Sequence, residues 1–207
     1  MVINVRILVS LISILTFFLF ESKAQGAWEM DKDKDEIKIY TRDKKGSDFK
    51  SFKGIVLIET SMVEIIKVLR DADNYAKWYG FTKTSKLLEQ YKDEQYNYVE
   101  TMFPWPYKNR DMVYKMSIDA SNPDTTKIHL LGVPDYIPEK DGIVRMQKAE
   151  GYILLRPLGK QIEITYVFHS EPGDNVPAWL ANNSIAELPF KTLSGLRTIL
   201  KEKQDSR

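Results

Sequence analysis

FPWPYKNRDMVYKMSIDA, residues 103–120, changes character halfway. Its first half sets Phe103, Trp105 and Tyr107 around Pro104 and Pro106. Proline lacks the amide proton that a sheet ladder needs and interrupts a helix. This half therefore predicts a compact loop packed by its own side chains. From Asp111 the sequence alternates: Met112, Tyr114, Met116 and Ile118 share one face of an extended chain, and Asp111, Lys115, Ser117 and Asp119 share the other. An apolar strand face has to be buried against a second layer.

The same alternation recurs on both sides. Ile37–Arg42 and Phe49–Glu59 read as a hairpin across the Lys44-Lys45-Gly46-Ser47 turn. Further strands are expected at Thr82–Tyr91, Gln95–Phe103, Thr126–Leu131, Ile143–Pro157 and Gln161–Ser170. In the last of these, Ile162, Ile164, Tyr166 and Phe168 alternate with Glu163, Thr165 and His169. Short turns between successive strands predict an antiparallel sheet. Helical spacing appears twice. Ser61 caps a helix carrying Val63, Ile66 and Leu69, with Glu64 as capping-box partner, and a short helix at Asp73–Tyr79 follows. Pro177 to about Lys203 reads as one long helix, capped by Asp174 or Asn175 and kinked at Pro189. Its expected apolar stripe is Ala178, Ala181, Ile185, Leu188, Leu196 and Ile199, and it would run about 40 Å. The fold class is α+β, with a curved antiparallel sheet closed on one side by a single dominant helix.

Residues 7–20 are an almost unbroken apolar run after Arg6, and Ser22-Lys23-Ala24 offers a small-residue cleavage site. Residues 1–24 are expected to be a secretory signal peptide, leaving a domain at 25–207 that is exported to a periplasmic or extracellular space. The rival reading is a retained anchor. A helix over residues 7–20 would rise about 21 Å, against a bilayer core of about 30 Å. Removing residues 1–24 takes away Arg6, Lys23 and Glu21, so the remainder is formally neutral. That neutrality argues against nucleic acid as a partner. The chain has no cysteine, so disulfides, a thiol nucleophile and a lipoprotein anchor are all excluded.

Several features come in an order that resembles START domains, the lipid-transfer domains related to the steroidogenic acute regulatory protein. They are Trp28-Glu29, Ile39-Tyr40-Thr41-Arg42, Asp73-Asn74-Tyr75 with Trp78, Phe103-Pro104-Trp105-Pro106 with Arg110-Asp111, Val144-Arg145-Met146, and Glu171-Pro172-Gly173 followed by Val176-Pro177-Ala178-Trp179-Leu180-Ala181-Asn182. The resemblance spans about residues 28–200. It implies a helix-grip fold whose sheet wraps the C-terminal helix around a hydrophobic tunnel. It also implies non-catalytic binding and transfer of a lipid or other hydrophobic small molecule. A monomer is expected, and transfer would require brief contact with a membrane. Expected ligand contacts are Trp78, Phe103 and Trp105; Met112, Tyr114 and Met116; Arg145 and Met146; Ile164, Tyr166 and Phe168; and Trp179, Asn182 and Ile185. Phe103 and Trp105 read either as a lid over the tunnel or as filling for the end of the core. Arg110-Asp111 reads as a structural pair holding the loop. Cholesterol-type members carry an acid and a base in the tunnel, at places taken here by Asn97 and Met116. Sterol specificity is therefore not implied.

Other chemistry finds little support. His129 and His169 stand forty residues apart, outside any metal-ligand spacing, and no Gly-x-Ser-x-Gly elbow is present. Asp31, Asp33 and Asp35 begin like a calcium loop, but Glu36 and Arg42 stand where glycine and glutamate are required. Asn182-Asn183-Ser184 is a glycosylation acceptor in form only, on a predicted helix. No metal or cofactor is expected. Two alternatives to the carrier stand: a cyclase- or hydrolase-like enzyme on the same scaffold, which would use polar groups such as Tyr114, Tyr166 or Arg145, and a protein-binding module with a filled core.

Overall fold

A computed structural model describes residues 26–173 and 176–206. The leader expected at 1–24 and the cap expected at Asp174 or Asn175 lie outside the described residues. In chain order come β1 (Glu29–Lys34), β2 (Ile37–Arg42), β3 (Ser51–Glu59), α1 (Met62–Arg70), a 3-10 segment (Ala72–Lys77), β4 (Thr82–Gln90), β5 (Glu94–Thr101), β6 (Arg110–Asp119), β7 (Thr126–Gly132), β8 (Val144–Arg145), β9 (Lys148–Leu158), β10 (Gln161–Glu171), α2 (Ala178–Asn183) and α3 (Glu187–Asp205). The strands form one sheet in the order β1-β2-β3-β10-β9-β7-β6-β5-β4. All neighbours on that path are antiparallel, and the short β8 pairs parallel to β6.

Sheet continuity depends on β10 docking against β3, with Gln161 opposite Glu59 and Phe168 opposite Phe52. The last strand thus joins the first hairpin to the strands that follow α1. The expected apolar faces of β6 and β10 both turn inward, because Met112, Tyr114, Met116, Ile162, Ile164, Tyr166 and Phe168 are all buried. The side chain of Ser61 caps α1 by accepting from the Glu64 amide at 3.2 Å.

Three elements differ from expectation. The stretch of Asp31, Asp33 and Asp35, for which no strand is expected, lies largely in an edge strand, β1. Asp35 and Glu36 take positive φ values of 52° and 61°, the handedness a two-residue hairpin loop requires. The Ile143–Pro157 strand is split into β8 and β9. The C-terminal helix is two helices, broken at residues 184–186. The Ser184 hydroxyl donates back to the carbonyls of Leu180 at 3.2 Å and Ala181 at 3.4 Å, closing α2. Pro189 makes no kink, because it is the third residue of α3, where its missing amide proton costs no helical bond.

The buried face of α3 is Pro189, Thr192, Leu193, Leu196 and Leu200, displaced around the helix from the predicted stripe but with the same period. Leu193, Leu196 and Leu200 are 1–2% exposed, and each contributes about 1.5–3 kcal/mol by burial. Two glycines bring helix and core together. A Cβ on Gly195 would stand 2.2 Å from the Trp78 carbonyl oxygen, and one on Gly54 would stand 2.6 Å from a Leu193 methyl. Gly195→Ala is therefore expected to destabilise the fold by about 1–3 kcal/mol through overpacking, even though alanine is the better helix former by about 1 kcal/mol. Urea unfolding measures this. A neutral or stabilising substitution would show that α3 does not press on the Trp78 backbone.

Candidate functional site

Between α3 and the concave face of the sheet lies an enclosed cavity of about 30 Å³. Its walls are Met112, Tyr114 and Met116 from β6, Leu130 from β7, Ile153 from β9, and Ile164, Tyr166 and Phe168 from β10. Thr192, Leu193 and Leu196 from α3 roof it, and Leu69, Tyr75, Trp78 and Tyr79 close its flank. About 30 Å³ holds roughly two water molecules. Sites for drug-sized ligands run to about 300–1,000 Å³. The tunnel that the resemblance implies is thus present only as a small closed void, and a lipid would have to widen it about tenfold.

The polar content of the chamber is almost entirely phenolic. The Tyr79 and Tyr166 hydroxyls are bonded to each other. Tyr75 donates to the Leu69 carbonyl, and its side chain is also hydrogen-bonded to Tyr114. Burial pushes the Tyr79 hydroxyl up to about 12, with its bond to Tyr166 pulling the other way. Burial likewise raises Tyr75, Tyr114 and Tyr166. All four are neutral hydroxyls at physiological pH. Among the described residues no group of acidic, histidine or cysteine side chains is arranged to hold a metal ion.

Seven of the residues expected at the site line this cavity: Trp78, Met112, Tyr114, Met116, Ile164, Tyr166 and Phe168. The other seven do not. Met146 and Ile185 pack against the core from outside the void. Asn182 is an anchor for α2: its amide accepts from Lys50 N and donates to the Asp48 carbonyl, both at 2.9 Å. Trp179 is 66% exposed.

Arg145 points to the outer face of the sheet. There it grips both oxygens of Asp111, at 2.7 and 3.1 Å, and donates to the carbonyls of Pro134, Ile137 and Pro138. Arg110 and Asp111 are accordingly not a pair, since adjacent strand residues point to opposite faces. Arg110 instead holds the loop from beneath. It donates to the Lys108 carbonyl and, at 3.2 Å, to that of Pro172, and its guanidinium lies 4.5 Å from the centre of the Phe103 ring. Phe103 is half-buried by this contact, whereas Trp105 at the tip is 92% exposed and fills no core.

From sequence, Tyr79 reads only as core and cavity-end packing, with Trp78, and Tyr75 is not singled out for the wall, although both line the cavity. With Trp78 they sit at i, i+3 and i+4, a spacing that clusters three rings on one side of a helical turn. Tyr75 and Trp78 meet edge to face at 5.2 Å, and Tyr75 and Tyr79 stack at 5.8 Å.

Hydroxyls whose folded pKa lies above the ordinary 10.0 keep their protons longer than the unfolded chain does. Their contribution is intact below about pH 10 and is lost as pH climbs toward about 12. Unfolding measured across this window should show stability falling with pH, and Tyr79→Phe should flatten the fall. A stability that stays constant there would contradict buried phenols at these positions.

The comparisons agree with this architecture. The START domain model matches residues 19–206. A solved STAR-related lipid transfer protein from Xanthomonas axonopodis superposes with a TM-score of 0.80, at 37% identity, over 84% of this chain and 98% of that one. An uncharacterized protein of Pseudomonas aeruginosa is 33% identical over 177 residues, 85% of this chain and 88% of its own. The phosphatidylcholine transfer protein of Mus musculus is 27% identical over 163 residues, 75% of each chain. With a family match across nearly its whole length and a helix-grip fold, this chain belongs to the START domain family.

Proposed function

We propose that the protein is a non-catalytic carrier that takes a lipid or lipid-like molecule into the chamber under α3 and passes it between membranes. It acts as a monomer in an exported compartment. The observation that carries this reading is the chamber wall: aliphatic, thioether and aromatic side chains, relieved only by neutral hydroxyls. Such a wall gives an apolar ligand a place away from water. It suits catalysis poorly, because acid–base work at neutral pH needs groups that titrate near 7, and the chamber phenols are shifted the other way. Relatives named for lipid transfer and for phosphatidylcholine transfer support the same reading.

Membrane contact is assigned to one end of the sheet. The strand directions put the Phe103–Asn109 loop and α2 at the same end, where Trp105 and Trp179 are both well exposed. Tryptophan favours the membrane–water interface, so these two side chains can seat the chamber against a bilayer without a basic patch. Among the described residues, no helix is long and apolar enough to cross a membrane.

Lipid transfer between donor and acceptor vesicles tests both parts. Trp105→Ala should slow transfer about five- to tenfold, equivalent to about 1 kcal/mol of interfacial anchoring, while leaving the loaded fraction unchanged. Unaltered transfer would remove Trp105 from the docking step. An absence of any lipid uptake by the unmodified protein would remove the carrier itself.

A further inference from the structure

We infer that the protein has a second binding site, on the outer face of the sheet, and that it takes a zwitterion whose cationic end is a primary ammonium, namely the ethanolamine phosphate headgroup of a membrane lipid. The site is a cleft of about 330 Å³ roofed by the Lys44–Ser47 turn, far larger than the cavity under α3. Its floor is two cross-strand rungs between β9 and β10, with Lys148 opposite Glu171 and Glu150 opposite His169. Phe168 faces the chamber, so His169 and Glu171, with their cross-strand partners, stand on the other side of the sheet.

The ligand's chemistry follows from the charges. Lys44, Lys45 and Lys148 line the cleft together with Glu150 and Glu171. Lys44 reaches down from the turn to Glu150 at 2.5 Å, and Lys148 meets Glu171 at 3.1 Å. The bond to Lys44 holds the Glu150 carboxyl below the usual carboxylate range. Burial opposes ionisation of Glu171, but its bonds to Ser47 and Lys148 outweigh that and hold it low as well. Both carboxylates are therefore charged at neutral pH. A plain anion is repelled by these two carboxylates, and a plain cation by three ammonium groups, whereas a zwitterion can set each of its charges against an opposite one. His169 selects the cationic end. Its ring is 7% exposed, and burial pushes the imidazole below its ordinary value, so it is neutral. Nδ1 lies 3.3 Å from the Lys50 carbonyl, which can only accept, so the ring's one N–H proton is there. Nε2 is then an acceptor, 3.8 Å from Glu171 Oε1. These two acceptors, with Glu150 across from His169, suit the three N–H donors of a primary ammonium. A quaternary ammonium has no N–H to give and is held by aromatic faces, and no Phe, Tyr or Trp lines the cleft.

Position gives the source of the zwitterion. The cleft is built from the last residues of β7 and β10 and the first of β9, at the end of the sheet that carries the Phe103–Asn109 loop. The connection that roofs it runs on to Asp48 and Lys50, which Asn182 ties to α2. On the carrier reading this end meets the bilayer. The cleft then grips a headgroup that stays in the membrane while the chamber takes its own ligand.

Calorimetry with soluble headgroups tests the site, and flotation with vesicles tests the source. Glycerophosphoethanolamine should bind at least about tenfold more tightly than glycerophosphocholine, glycerol 3-phosphate or ethanolamine. Adding phosphatidylethanolamine to phosphatidylcholine vesicles should raise the fraction of protein that floats with them. Glu171→Gln should remove both preferences while leaving lipid loading of the chamber, read by native mass spectrometry, unchanged; a merely structural role would lower that loading too. Glu150→Gln gives the same readout if the first variant folds poorly. Absent binding, equal binding of the ethanolamine and choline compounds, or a preference untouched by both variants would overturn the site. Glycine binding as tightly as glycerophosphoethanolamine, or headgroup binding with no vesicle preference, would overturn the membrane lipid as its source. A chamber that loads no lipid would overturn the carrier reading and leave headgroup binding by the cleft standing.

Discussion

The contact between α3 and the concave face of the sheet governs the rest of the structure. Leu193, Leu196 and Leu200 supply much of the apolar burial that holds the helix down, and Leu193 and Leu196 also roof the cavity. On the proposed reading, the hydrophobic core and the ligand space are one volume. A chain that binds here has to part the layers that keep it folded, and the ligand has to restore the lost burial. The small size of the cavity follows from packing: an apolar void of lipid size would forfeit packing energy throughout. Methionine at two wall positions suits such a site, since its flexible thioether refills a gap or yields to a guest at little cost.

Hydrogen bonds tie α3 and its approaches to both ends of the sheet. Arg197 donates to the Asp35 carbonyl at 2.7 Å, and Gln204 donates to that of Glu59 at 2.7 Å. At the opposite end, Asn182 ties α2 to the Asp48–Lys50 backbone, and Arg110 and Asn109 tie the proline-rich loop. On the outer face, the Asp111–Arg145 pair braces the segment before β8 and is fully removed from water. A buried pair of this kind is valuable mainly because losing either partner strands a charge. It braces β6 on the side away from the chamber. On the proposed reading, ligand enters at the end where Trp105 and Trp179 are exposed, the end proposed to meet the membrane.

Much of this was legible in the sequence, for a physical reason. When one face of a strand is buried, a one-residue slip would turn its whole apolar set to solvent. The alternation in β6 and β10 therefore identified the inward walls, six of which line the cavity. Features without such a penalty stayed hidden. β1 is an edge strand exposed on nearly every residue, so burial never sorted its composition. Arg145 looked like a polar group for the tunnel, but its direction depends on the parallel pairing of β8 with β6, and no local pattern encodes that. Pro189 looked like a kink because its position relative to the helix start was unknown.

The central claim, that the space under α3 is a ligand chamber and not a filled core, is tested most directly by native mass spectrometry of the protein as purified, with organic extraction of whatever accompanies it. The account predicts a discrete mass increment that extracts as a lipid. A bare protein mass, persisting after exposure to lipid vesicles, would contradict it and leave the cavity as ordinary packing.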